Sequence, residues 1–96
     1  MMLSDKLTPQ ERELLVITME ECGELSSACS KLLRFGNEIK HLDNILQEAG
    51  DVICMVSLLI EYGFLEEEQL QEATQNKINK LKKWSSIVDN VISSVH

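Results

Sequence analysis

The apolar positions of this chain fall into a helical rhythm close to its start. Leu14, Leu15, Cys22, Leu25, Cys29, Leu32 and Leu33 recur at the 3.6-residue spacing of a one-faced helix. Thr8-Pro9-Gln10-Glu11 opens that helix: Thr8 can cap it, Pro9 suits the first position, and Glu11 can return the capping-box bond. Arg34-Phe35-Gly36-Asn37 closes it with a basic last turn and a glycine stop, which predicts a first helix over roughly residues 9–34. Residues 37–43 read as a polar connector with room for a short helical turn. A second helix follows from about Asp43 to Tyr62, with Gly63 as its stop. It is apolar on nearly every side between Val52 and Ile60, which predicts a central helix surrounded by neighbours.

A third helix is expected to start near Leu65. Glu66, Glu67 and Glu68 come early in it and Lys77, Lys80, Lys82 and Lys83 late, a sign order that suits the helix dipole. Leu81, Trp84, Val88, Val91 and Val95 continue in alternating three- and four-residue steps, a short seam suited to docking on a partner. Ser85-Ser86 can interrupt that seam, so the helix end is left open between the two. The pattern as a whole predicts an all-α fold, a small bundle of three to four main helices. It forms one domain over residues 1–96, with a core at about 9–84 and a packing helix at 85–96.

Composition adds a need for company. Ninety-six residues bury only about 60–68% of the surface of the unfolded chain, and just four are aromatic: Phe35, Tyr62, Phe64 and Trp84. The bundle is therefore expected to be completed by a second copy. At 44% hydrophobic and 26% charged residues the chain is not that of a wholly disordered protein. One proline and four glycines are too few turn signals for a many-stranded sandwich or barrel. Sixteen acids against nine bases, a net charge of −7, disfavour binding to a nucleic-acid polymer and permit dependence on a cation. Cys22, Cys29 and Cys54 sit among apolar residues, form no C-x-x-C pair and read as buried thiols of a reducing cytoplasm. With only His41 and His96 beside them, a zinc site has little support. The first residues lack the apolar core of a signal peptide, and the longest apolar run is too short to span a membrane.

Carboxylates change the picture. Glu21-Cys22-Gly23-Glu24-Leu25 in the first helix matches Glu48-Ala49-Gly50-Asp51-Val52 in the second: acid, small, glycine, acid, aliphatic. Each copy puts two carboxylates on one helical face about a turn apart. Each also carries a glycine inside a helix, at a cost of about 1 kcal/mol relative to alanine, which suggests close approach of a backbone or ligand. Asp51 extends the apolar side formed by Met55, Leu58, Leu59 and Tyr62, and Glu21 sits on the shoulder of the first helix's stripe with Glu24 beside it. Packed together, the two helices bring four or five carboxylates into a partly buried space. Such charges resist ionising together unless a cation neutralises them, and oxygen-only ligands favour a hard divalent ion such as magnesium. A di-iron bundle would need Glu-x-x-His pairs, which neither copy has. An isolated E-x-x-E on a surface helix is usually only solvated; the doubling on two helices is what favours a site.

Lys31 and Arg34 on the first helix and Lys77 and Lys80 on the third can reach phosphate oxygens, with Asn76 a further polar contact. Lys31 shares a face with Glu24, whereas Lys82 and Lys83 read as a solvated basic end. Ser26, Ser27 and Ser30 show no nucleophile–base arrangement, and no glycine-rich phosphate loop is present.

Glu20-Glu21-x-x-Glu24, twenty-three intervening residues, and Glu48-x-x-Asp51 together resemble the EExxE…ExxD signature of the MazG-like all-α nucleoside triphosphate pyrophosphohydrolases. Ser30-Lys31-Leu32-Leu33-Arg34-Phe35-Gly36 and Asn76-Lys77-Ile78-Asn79-Lys80-Leu81 are similar to segments of short, stand-alone, often phage-encoded members. The likeness covers roughly residues 12–84; residues 85–96 match nothing in it.

The resemblance implies hydrolysis of (deoxy)nucleoside triphosphates to monophosphates and pyrophosphate in the cytoplasm, with Mg2+, or Mn2+ as a substitute. It implies that Glu21, Glu24, Glu48 and Asp51 hold the metal and that Glu20 either supports those ligands from behind or orients the attacking water; by their own chemistry Glu20 or Glu24 could take that water's proton if within hydrogen-bond reach. Lys31, Arg34, Asn76, Lys77 and Lys80 would contact phosphates, in a homodimer or homotetramer. The chain lacks the histidine that phosphoribosyl-ATP pyrophosphohydrolases carry shortly after the second acidic pair, which lowers that option. Two other readings stay open: a dUTPase-like enzyme of the same superfamily, and a non-catalytic helical module binding nucleotides or a partner around a structural cation.

Overall fold

A computed structural model describes residues 6–88. It contains three α-helices and no strand among those residues: α1 (Pro9–Phe35), α2 (Ile39–Glu61) and α3 (Glu67–Trp84). The chain divides into two compact units. The first ends at Phe64 and holds α1 and α2; the second begins at Leu65 and holds α3.

Local rules set the ends of α1. The Glu11 backbone N–H donates to Thr8 Oγ1 at 3.0 Å, and Glu11 Oε1 accepts from the Thr8 N–H at 2.8 Å, so two backbone donors are satisfied reciprocally. At the other end Gly36 turns the chain with φ of 101°, a region costly for side chains, while its N–H donates to the Leu32 carbonyl at 3.0 Å. Only Gly36–Glu38 separate the two helices, so α2 starts four residues earlier than Asp43 and the expected 37–43 connector is mostly helix. Glu38 makes no side-chain cap, so no capping signal marks the true start. Packing of His41 against Phe35, not a cap, fixes the first turn. Gly63, with φ of 83°, ends α2, and the Phe64 N–H reaches back to the Leu59 carbonyl at 2.9 Å.

α1 and α2 pack as an antiparallel hairpin. Leu14 and Met55 are buried toward its open end. Ala28, with no exposed surface, and His41 are buried toward the connection. There the His41 ring stacks on Phe35 with centroids 5.8 Å apart, and the Arg34 guanidinium lies 5.0 Å from the Phe35 centroid. His41 Nε2 is 3.4 Å from Glu38 Oε1 but has no hydrogen-bond partner among the described residues.

Each helix of the hairpin also carries a second apolar stripe. On α2, Ile39, Leu42, Leu46, Ala49, Ile53, Val56 and Ile60 follow steps of three and four; on α1, Leu15, Met19, Cys22, Cys29 and Leu33 do the same with Ser26 between. Each stripe lies about a third of a turn from the contact with the other helix. Because the helices run in opposite directions, both stripes turn to the same side of the hairpin. Ile39, Leu46, Ile53, Met19 and Leu33 are 66–88% exposed.

This corrects two expectations. α2 is not enclosed on every side: one side meets α1, and the second stripe is open. The cysteines are not buried either. All three are free and exposed, because Cys22 and Cys29 lie on that second stripe of α1 and Cys54 on the side of α2 turned from α1.

In the second unit, Glu67 and Glu68 occupy the first turn of α3 and Lys82 and Lys83 the last, as the dipole favours. Ile78 is its buried residue. The helix stops at Trp84, where Ser85 is extended (φ −149°, ψ 156°) and its Oγ accepts from the Ile87 N–H at 3.2 Å. The break left open in the sequence thus falls at Ser85, and residues 85–88 do not begin the packing helix expected over 85–96. Val91, Val95 and His96 lie outside the described residues.

Candidate metal centre and functional site

The side of the hairpin opposite the second stripes carries the acids. Glu21 on α1 and Glu48 on α2 point toward the contact between the helices, and each is half-buried. Asp51, Glu24 and Glu20 follow at increasing angles on the same side and are exposed. One carboxylate oxygen from each of Glu21, Glu48 and Asp51 falls within 4.8 Å of the others. These donors are all hard oxygens, and opposite ligands of Mg2+ stand about 4.2 Å apart at bonds of about 2.1 Å. Neighbouring ligands of such an ion stand about 3.0 Å apart, so the three oxygens would draw together on binding, and their chemistry fits a hard divalent cation.

The electrostatics point the same way. Burial, then the charges of Asp51, Glu24 and Glu20, hold the Glu21 carboxyl above its ordinary value. Burial, followed by Glu24, Asp51, Glu21 and a side-chain hydrogen bond with Asp51, does the same to Glu48. Glu24 therefore acts on Glu48 across the hairpin although it stands outside the tight group of three.

Of the two approaches suggested by the internal glycines, that of a neighbouring backbone is not seen among the described residues. A Cβ at Gly23 or Gly50 would meet nothing within 4 Å, because both lie on the sides of their helices turned away from each other.

Lys31 stands on the acidic side, two turns beyond Glu24, and helical side chains incline toward the N-terminus, here toward the acids. Arg34 lies against Phe35 at the closed end of the hairpin. Asn76, Lys77 and Lys80 are exposed on α3 in the second unit, with Lys77 and Lys80 three residues apart on one face. Sequence reasoning did not find a groove on the acidic side, toward the open end, lined by Gln10, Glu13, Leu14, Ile17, Met55, Leu58 and Tyr62. Its signal was present in part, since Met55, Leu58 and Tyr62 share the side of Asp51; the residues from α1 needed the register of the hairpin.

The fold and this site define an all-α protein with a carboxylate centre built between two antiparallel helices. The family model of the MazG nucleotide pyrophosphohydrolase domain matches residues 10–86, and the chain belongs to that family. No curated protein and no solved structure matched the chain. No helix among the described residues is long and apolar enough to cross a membrane.

Proposed function

We propose that this protein is a Mg2+-dependent nucleotide pyrophosphohydrolase, converting (deoxy)nucleoside triphosphates and water to monophosphates and pyrophosphate in the cytoplasm. The observation that carries the reading is the convergence of Glu21, Glu48 and Asp51 within 4.8 Å, in a chain of this family. Glu21, Glu24, Glu48 and Asp51 would hold the metal, and Mn2+ is the expected substitute. When bound, the cation neutralises phosphate charge and makes a bound water more acidic. Glu20, exposed beside the group, orients the attacking water, and Glu20 or Glu24 takes its proton. Lys31 balances charge on the leaving pyrophosphate. Arg34, Asn76, Lys77 and Lys80 are assigned to phosphate contacts on the family resemblance. The family match spans both compact units, which supports residues 1–96 acting as one domain.

The test is a panel of nucleoside triphosphates with Mg2+ or Mn2+, read as pyrophosphate release. Glu48→Ala should lower release at least about a hundredfold, the upper range for disturbing even a metal's outer shell. Magnesium-dependent binding with no turnover of any nucleotide would replace the enzyme with a binding module.

The second stripes support a homo-oligomer. Two helices side by side, about 10 Å apart and about 30 Å long, give a face of roughly 600 Å². That approaches the roughly 800 Å² per partner of a standard interface. A second copy packed there would form a four-helix bundle. Light scattering should show a dimer or larger assembly at micromolar concentration, and Ile53→Asp, placing a charge in the stripe, should shift it toward monomer. A monomeric wild type would end this part of the reading.

A further inference from the structure

The acidic side of the hairpin has an order along its length. The groove between the N-terminal part of α1 and the C-terminal part of α2 comes first, the carboxylates follow, and Lys31 comes last. Ile17 precedes Glu21 by four residues and Met55 follows Asp51 by four, so groove and carboxylates are only about 6 Å apart along each axis. A sugar spans that gap. The groove's volume of about 180 Å³ is too small for a whole nucleotide, since complete small-molecule sites run at about 300–1,000 Å³. It is suited to one ring system.

We propose that this groove is the base subsite, and that it selects bases bearing an exocyclic amino group. The inference rests on the nucleotide reading above and deepens it. Ile17, Met55 and Leu58 supply apolar walls, and Tyr62, 46% exposed, offers a ring for stacking. Gln10 and Glu13 are exposed at its α1 edge. A carboxylate only accepts, so Glu13 pairs with an amino N–H and repels the carbonyl oxygen that uracil or thymine carries at that place. Gln10, which both donates and accepts, pairs with the neighbouring ring atoms. With the base seated here, the triphosphate runs over the carboxylates and its leaving end approaches Lys31.

The test is calorimetric binding with Mg2+ of three ligands: a non-hydrolysable cytidine triphosphate analogue, the matching uridine analogue, and inorganic triphosphate. The wild type should bind the cytidine analogue at least tenfold more tightly than the other two. Leu58→Trp, which fills the groove, should lose at least tenfold for the cytidine analogue and stay within twofold for inorganic triphosphate. Glu13→Gln should erase the preference for cytidine over uridine. Circular dichroism checks the helices, and Tyr62→Ala replaces Leu58→Trp if that variant unfolds. Equal binding of nucleotide and inorganic triphosphate by the wild type would overturn the subsite and leave the phosphate site standing. So would an unaltered cytidine affinity in the groove variants. Absence of Mg2+-dependent binding of all three would bring down the nucleotide reading, and the subsite with it.

Discussion

Glu21 and Glu48 set a pH dependence whose sign follows from their raised values. Each binds its proton more readily in the folded chain than at the ordinary 4.5. Their contribution to stability is full below that value and is lost as pH rises through the raised one. In a chelator, Tm should therefore fall through these groups as pH rises above about 4.5. Adding Mg2+ at pH 7.5 should raise it again, as a ligand of the folded state does. Thermal melts across that range check this, and Glu48→Gln should show both a flatter pH profile and a smaller Mg2+ effect. An equal Mg2+ response in Glu48→Gln would argue against Glu48 as a ligand. These acids were legible because their spacing within each helix is fixed by local geometry, whatever the helices pack against. The fate of Cys22, Cys29 and Cys54 was not legible, because an apolar stripe does not say whether this chain covers it.

At the scale of elements, Ala28 governs how closely α1 and α2 approach. It is the one described residue with no exposed surface. Ala28→Leu should cost about 1–3 kcal/mol by overpacking. It should also weaken Mn2+ binding, measured by electron paramagnetic resonance, by prising apart the helices that bear Glu21 and Glu48. Thr8→Ala, distant from the acids, should cost about 1 kcal/mol through the lost cap and leave Mn2+ binding unchanged. The contrast separates distortion of the site from loss of helix stability. The ends of α1 were readable from Thr8, Pro9, Glu11 and Gly36, since each acts on its own turn. The start of α2 was not, because Glu38 caps nothing and the first turn owes its place to the packing of His41 rather than to local chemistry. The groove needed the pairing of Ile17 and Leu14 with Met55 and Leu58, which only the antiparallel register supplies.

For the whole molecule, the charge of −7 divides unevenly. Glu20, Glu21, Glu24, Glu48 and Asp51 account for five of the sixteen acids, and without them eleven acids face nine bases. The surplus thus sits largely on one side of one hairpin, while the opposite side is apolar. The all-α class was readable in full from periodicity and scarce turn signals; the two-sidedness was hidden in stripes that become distinct only once one of them is occupied. A final feature lies in the placement of two rings. The chain has a single tyrosine and a single tryptophan: Tyr62 closes α2 in the first unit, and Trp84 closes α3 in the second. Each unit therefore carries its own intrinsic fluorophore. Trp84 can be excited alone at the red edge of the absorption band, so its emission follows α3, and the Tyr62 emission obtained by difference follows the end of α2, without any label.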